Sequence, residues 1–162
     1  MTANKTKETK APVETQTTEG TEGAQVQLMK LYIKDASLQI PEGAKAFRFD
    51  WAPELNVEIN TQSKPLAEKN LHEVALKVKC TVKCKEGVAF ITEVDQAGLF
   101  MVGGLDETQL RHALGSFCPN ILYPFLREAI GDMVLRSGFP QLNLAPINFD
   151  ALYQQQIQQI VQ

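Results

Sequence analysis

Three cysteines, two histidines and one tryptophan are all that 162 residues supply, and there is neither a long basic block nor a long apolar run. Each shortage closes off a class of protein. An odd cysteine count does not make a disulfide framework. Cys80 and Cys84 stand four apart in what reads as a strand, so at about 3.3 Å per residue they lie roughly 13 Å apart on one face. That exceeds the ~7 Å between Cα atoms that a disulfide tolerates, and it keeps the pair from chelating one zinc ion together. With Cys118 they are expected to be buried, reduced thiols. Without about 18 consecutive apolar residues, direct insertion into a membrane is not expected. The net charge is −3 and the basic residues are scattered. Binding to nucleic acid, which rests on neutralising phosphates with basic clusters, is therefore not expected.

Chemistry-bearing groups are also scarce. Neither His72 nor His112 has ligand spacing to another His, Cys or carboxylate. Cys118 and His112 could be drawn as nucleophile and base, but Cys118 directly precedes Pro119 at a helix junction and reads as a packed thiol. GLFMVGGL, Gly98 to Leu105, has the glycine spacing of a phosphate loop. Gly104 and Leu105, however, stand where Lys and Ser/Thr should follow. Its glycines are expected to ease a sharp passage from strand to helix. Glu93 and Asp95 share a strand face and read as solvated carboxylates. The expectation is a protein that is not an enzyme and holds no cofactor and no metal.

Residues 1–24, MTANKTKETKAPVETQTTEGTEGA, contain no Leu, Ile or Phe. Such a segment cannot bury enough apolar surface to offset its ordering entropy, so a disordered tail is expected there. It also lacks the apolar core of a signal peptide, and a cytoplasmic location is expected. Residues 25–162 are then one domain, with the apolar content, 44% over the whole chain, to build a core.

Within that domain strands come first. Val26 to Ile40 alternates imperfectly, which a bulge or burial on both sides would explain. KAFRFDWAPE follows as an irregular crossover carrying Phe47, Phe49 and Trp51, and Leu55 to Thr61 makes a second strand. From Glu73 to Cys84 the even positions are Val74, Leu76, Val78, Cys80, Val82 and Cys84, while the odd ones are mostly charged. This is a half-buried antiparallel strand. Val88 to Ala97 is the fourth, and the four are expected to form a meander with one face open to water. Helices are expected from Asp106 to Phe117, ended by Pro119, from about Asn120 to Ser137, and again after a cap at Asn148 or Asp150. The class is α+β.

This design has more apolar surface than one sheet face needs. Gly138 to Phe149, GFPQLNLAPINF, has no charge, and Pro140 and Pro146 bar it from being a continuous helix or central strand. An oligomer interface, an exposed groove, or both would use that surplus.

GLFMVGGL, SFCPNILYPFLREAI (Ser116 to Ile130) and GFPQLNLAPINFDALY closely resemble the protein-export chaperone family SecB, and IKDASLQI and FDWAPELNVEINT fit it too. The resemblance covers about Val26 to Tyr153. It implies a four-stranded antiparallel sheet with C-terminal helices, assembled as a homotetramer, a dimer of dimers. It implies binding of unfolded preproteins and their delivery to the translocase motor SecA, without catalysis or cofactor. By this resemblance Trp51, Tyr123, Phe125, Phe139, Leu142 and Leu144 are candidate residues of a client-binding groove. Asp35, Ile91 and Glu93 match the motor-docking face, where Gln39 replaces a Glu that other members can carry. Thr92, Val94 and Gln96 match a strand side tied to oligomer assembly. A SecB-like chaperone dedicated to one partner, such as a toxin–antitoxin pair, is the alternative.

Overall fold

In β1 (Gln25–Gln39) the apolar residues change face twice, and both changes are bulges. Val26 and Leu28 pair with Val102 and Phe100 of β4 (Gly87–Gly103). The register slips at Met29, so Leu31 and Ile33 meet Gly98 and Gln96; it slips again at Lys34, so Ala36 and Leu38 meet Val94 and Thr92. Each extra residue inverts the strand's parity. All six side chains therefore share one face, which the imperfect alternation in the sequence anticipates. The computed structural model describes residues 23–161. The tail expected over residues 1–24 lies, apart from its last two residues, outside them.

The sheet is antiparallel throughout, with the order β1-β4-β3-β2, where β2 is Glu54–Pro65 and β3 is Leu71–Cys84. It is not the simple meander expected. β2, β3 and β4 are joined as hairpins, and β1 lies beside β4 in Greek-key fashion. The β1–β2 crossover contains a 3₁₀ helix, Gly43–Arg48.

β4 also runs farther than expected, through Gly98 to Gly103. Gly98 is a packing glycine rather than a turn: a Cβ there would sit 2.8 Å from the Phe100 ring, 3.0 Å from Leu28 and 3.1 Å from Leu122. The chain turns at Gly104 instead, at φ +73°.

Asp106 caps α1 (Glu107–His112) through a capping box with Gln109. The helix does not end at Pro119. A π-turn over Ala113–Phe117, with the Cys118 N–H donating to the Ala113 carbonyl, leads directly into α2 (Cys118–Arg136). Pro119 thereby falls in the first turn of α2, where its missing N–H costs nothing. Pro124 lies inside the helix on its exposed side. Leu122, Leu126, Ile130 and Val134 recur every fourth residue, are fully buried, and join Val74, Leu76, Val78, Phe90, Val94 and Phe100 in one core. Each such side chain contributes about 1.5–3 kcal/mol of burial. After an irregular strap, α3 (Phe149–Val161) begins at Asn148, whose Oδ1 accepts from the Ala151 N–H at 3.0 Å.

Candidate functional site

The crossover and the strap meet over one end of the covered sheet face. Phe139 is 4% exposed and sits beneath Phe47 and Trp51, with ring centroids 4.6 Å and 5.7 Å away, both stacked; Phe90 lies below at 4.8 Å. The two upper rings are 51% and 41% exposed. Gly138 makes the approach possible. It terminates α2 at φ +93°, and a Cβ there would lie 3.2 Å from the Phe47 ring. Leu55 and Val57 of β2 are exposed as well. They point to the covered face, opposite Val82 and Cys80, but α2 packs on β4, β3 and β1, so both stay exposed.

A second surface, mixed in polarity, lies between α2 and β1. Leu31 and Ile33 of β1, Phe125 and Leu135 of α2, and Leu142 of the strap line an open cleft of about 790 Å³ together with the charged Arg127, Glu128 and Asp132. Phe125 and Leu135 are exposed. The strap itself faces inward. Leu144 and Tyr123 are buried, the Tyr123 hydroxyl donates to the Ala145 carbonyl at 2.5 Å, and the Tyr123 ring meets Phe149 edge-on at 5.6 Å.

The six groove candidates therefore divide. Trp51 is on the shelf and Phe125 and Leu142 are in the cleft, whereas Phe139 is buried beneath the shelf and Tyr123 and Leu144 are buried in the core. Phe47, Leu55, Val57 and Leu135 belong to the exposed surfaces without having been singled out in the sequence. Phe47 carried a signal there, as an aromatic in the crossover. Leu55 and Val57 belong to an alternating strand, and only the strand order shows β2 to be the edge beyond α2.

The opposite face of the sheet gathers the docking candidates. Asp35 stands opposite Asp95, Ser37 opposite Glu93, and Gln39 opposite Ile91. The carboxylates have lysine neighbours: Lys77 Nζ lies 3.8 Å from Glu93, and Lys34 Nζ lies 2.9 Å from Glu73. Burial holds the Asp95 carboxyl above the ordinary carboxylate range, against the pull of Lys77 and Lys34. Thr92, Val94 and Gln96 alternate with these residues and point to the covered face, where all three are buried. Thr92 Oγ1 donates to the Ser37 carbonyl and Gln96 Nε2 to the Tyr32 carbonyl, both at 3.0 Å, tying β4 to β1 from beneath.

Cys118 and His112 do not form a nucleophile–base pair. His112 Nε2 lies 2.5 Å from Asp150 Oδ1, and burial pushes the Cys118 thiol up to about 12, leaving it protonated at neutral pH. Cys80 is buried too and pushed up to about 11, while Cys84 is only half-buried; all three cysteines are free. Among the described residues no helix is long and apolar enough to cross a membrane.

Comparison with known proteins reads this geometry. The family model described as preprotein translocase subunit SecB matches residues 19–160. The chain belongs to the SecB family. Relatives named protein-export protein SecB include one from Pseudomonas syringae pv. tomato, 48% identical over 85% of this chain and 84% of its own length. Another, from Pseudomonas fluorescens, is 48% identical over 91% of this chain and 93% of its own. Among solved structures, a Mycobacterium tuberculosis SecB-like chaperone in complex with a ChAD peptide from an antitoxin superposes with a TM-score of 0.60. It covers 75% of this chain and 90% of its own at 15% identity, a likeness of fold alone. Both the α+β class and the resemblance of the motifs to SecB are thus established.

Proposed function

We propose that this SecB-family protein is a cytosolic holding chaperone that binds unfolded secretory precursors, keeps them competent for translocation and passes them to the SecA motor. The observation that carries the reading is the exposed pair Phe47 and Trp51, stacked on buried Phe139, with Leu55 and Val57 of β2 exposed as well. Apolar burial at about 25 cal/mol per Å² gives affinity without demanding a client sequence. A ligand that binds only the unfolded state lowers the effective stability of the client's fold by mass action. Slow folders are caught and fast folders escape, because binding competes with folding.

Assembly as a homotetramer, a dimer of dimers, fits two features of the subunit. The outer edge of the long strand β1 has no partner strand among the described residues, and the cleft with exposed Leu135 and Phe125 runs beside it. Edges of that kind are normally covered. In this reading Thr92, Val94 and Gln96 act on assembly indirectly, by fixing the position of β1. SecA docks on the open face at Asp35, Ile91 and Glu93, with Gln39 carrying one charge fewer than a Glu would.

Titration of the purified protein against a slow-folding, chemically denatured precursor, with the native precursor as control, tests the chaperone reading. Binding to the unfolded form alone is expected, and binding to neither form contradicts it. Glu93→Lys is expected to weaken SecA binding and leave client binding intact; equal loss of both refutes the separation of the two faces. Broad client range also separates export duty from service to a single antitoxin-like partner. The export-named relatives, near 48% identity, favour the former.

A further inference from the structure

One contact on the open face joins strands that are not neighbours. Tyr32 stands on β1 and Glu73 on β3, with β4 between them, and the Tyr32 hydroxyl donates a hydrogen bond to the Glu73 carboxylate. Strands lie about 4.8 Å apart, so the contact spans close to ~10 Å of backbone separation. Small residues leave the path clear. Ala97 of β4 is opposite Tyr32, and Ala75 of β3 is opposite Ala97. Both alanines point to the open face and yet are 0% and 7% exposed, as residues beneath a ring are.

The second bulge of β1 completes the arrangement. Lys34 is its extra residue, with Nζ 2.9 Å from Glu73 Oε1, and Lys64 of β2 approaches the same oxygen at 3.8 Å. The next residue is Asp35, diagonal to Glu93 across the β1–β4 ladder. A bulge bends and re-aims its strand. The two bonds to Glu73, one from each side of Ile33, hold the stretch of backbone that decides where the Asp35 carboxylate points.

We propose that Tyr32, Lys34 and Glu73 are positioning residues for SecA docking, locking the second bulge of β1 so that Asp35 is held beside Glu93 to receive a basic group of the motor. The proposal rests on the docking reading of Asp35, Ile91 and Glu93. None of the three has to touch the motor; their effect passes through Asp35. Burial of the phenol and the neighbouring Glu73 push Tyr32 up to about 12, so its hydroxyl keeps the proton that makes the bond.

A double-mutant cycle on the full-length protein, read as SecA affinity, tests this. Tyr32→Phe and Glu73→Gln are each expected to weaken SecA binding about three- to tenfold, in the lower part of the range over which contacting residues couple. Affinity for an unfolded precursor should stay unchanged in both. On an Asp35→Ala background Tyr32→Phe should have no further effect, because the group it positions is gone. Full SecA affinity in Tyr32→Phe overturns the proposal, and so does a loss that adds in full to that of Asp35→Ala. Should Tyr32→Phe fold poorly, Lys34→Gln probes the same anchor from an exposed side chain, with the same outcomes. If Asp35→Ala and Glu93→Lys themselves leave SecA binding intact, the docking reading fails and takes this proposal with it. A silent Tyr32→Phe beside a damaging Asp35→Ala removes only the positioning role.

Discussion

Phe139 shows how one residue can belong to a site without being on its surface. It is buried under Phe47 and Trp51, so its removal leaves a cavity beneath the shelf. Phe139→Ala is expected to cost about 3–5 kcal/mol of stability, as large-to-small core changes do. Denaturant unfolding checks this, and a loss below about 1 kcal/mol would place Phe139 outside the packed core. Glu73 gives a second prediction at this scale. The hydrogen bond from Tyr32, and then that from Lys34, hold its carboxyl below the ordinary glutamate range. A depressed folded pKa means that the carboxylate's contribution is complete above the ordinary range and is lost as pH falls through the lowered value. The stability gap between the wild type and Glu73→Gln should thus be full at neutral pH and close in acid. A gap that ignores pH would contradict the tie.

At the scale of elements, α3 is held by its first turn. Phe149 is buried, Asp150 reaches His112, and Tyr153 lies where a Cβ on Gly115 would be 2.6 Å from its ring; from Gln154 to Val161 the helix is exposed. Gly115→Ala is expected to release α3 while the core of α2 stays protected, which hydrogen exchange resolves segment by segment. Unchanged protection over Phe149–Tyr153 would contradict that seat. The elements are also where the sequence was most legible and where it failed in instructive ways. Alternation in β3 and the helical spacing of α2 are local signals, and both elements stand where those patterns put them. The continuation of β4 past Gly98 was not legible, because a glycine that avoids Leu28 and Leu122 looks the same in sequence as one that turns the chain. The helix running through Pro119 was hidden likewise, since only the π-turn before it shifts that proline into a first turn. The order β1-β4-β3-β2 depends on which distant strands pair, which no local pattern records.

For the whole molecule, the two faces differ in chemistry: exposed apolar side chains flank α2 on one side of the sheet, and carboxylates with lysine partners occupy the other. The family resemblance put the docking candidates Asp35, Ile91 and Glu93 on one face, and the register sets them near one another on β1 and β4. It did not separate exposed groove residues from their supports, because side-chain direction in an irregular strap has no period to read. Leu135, 58% exposed beside the cleft, is expected to be covered in the assembled oligomer. Leu135→Asp should shift the particle to smaller assemblies in sedimentation. It should also weaken binding of long clients, since avidity of roughly 10² to 10⁴ depends on several grooves engaging one chain. A particle unchanged in mass would take Leu135 out of the interface. Receipt of the client by the aromatic shelf is checked by the affinity of the double variant Phe47→Ala, Trp51→Ala for a denatured precursor. A loss of at least about tenfold is expected, the equivalent of ~1.4 kcal/mol, with the fold and the assembly retained. Wild-type affinity in that intact double variant would contradict it.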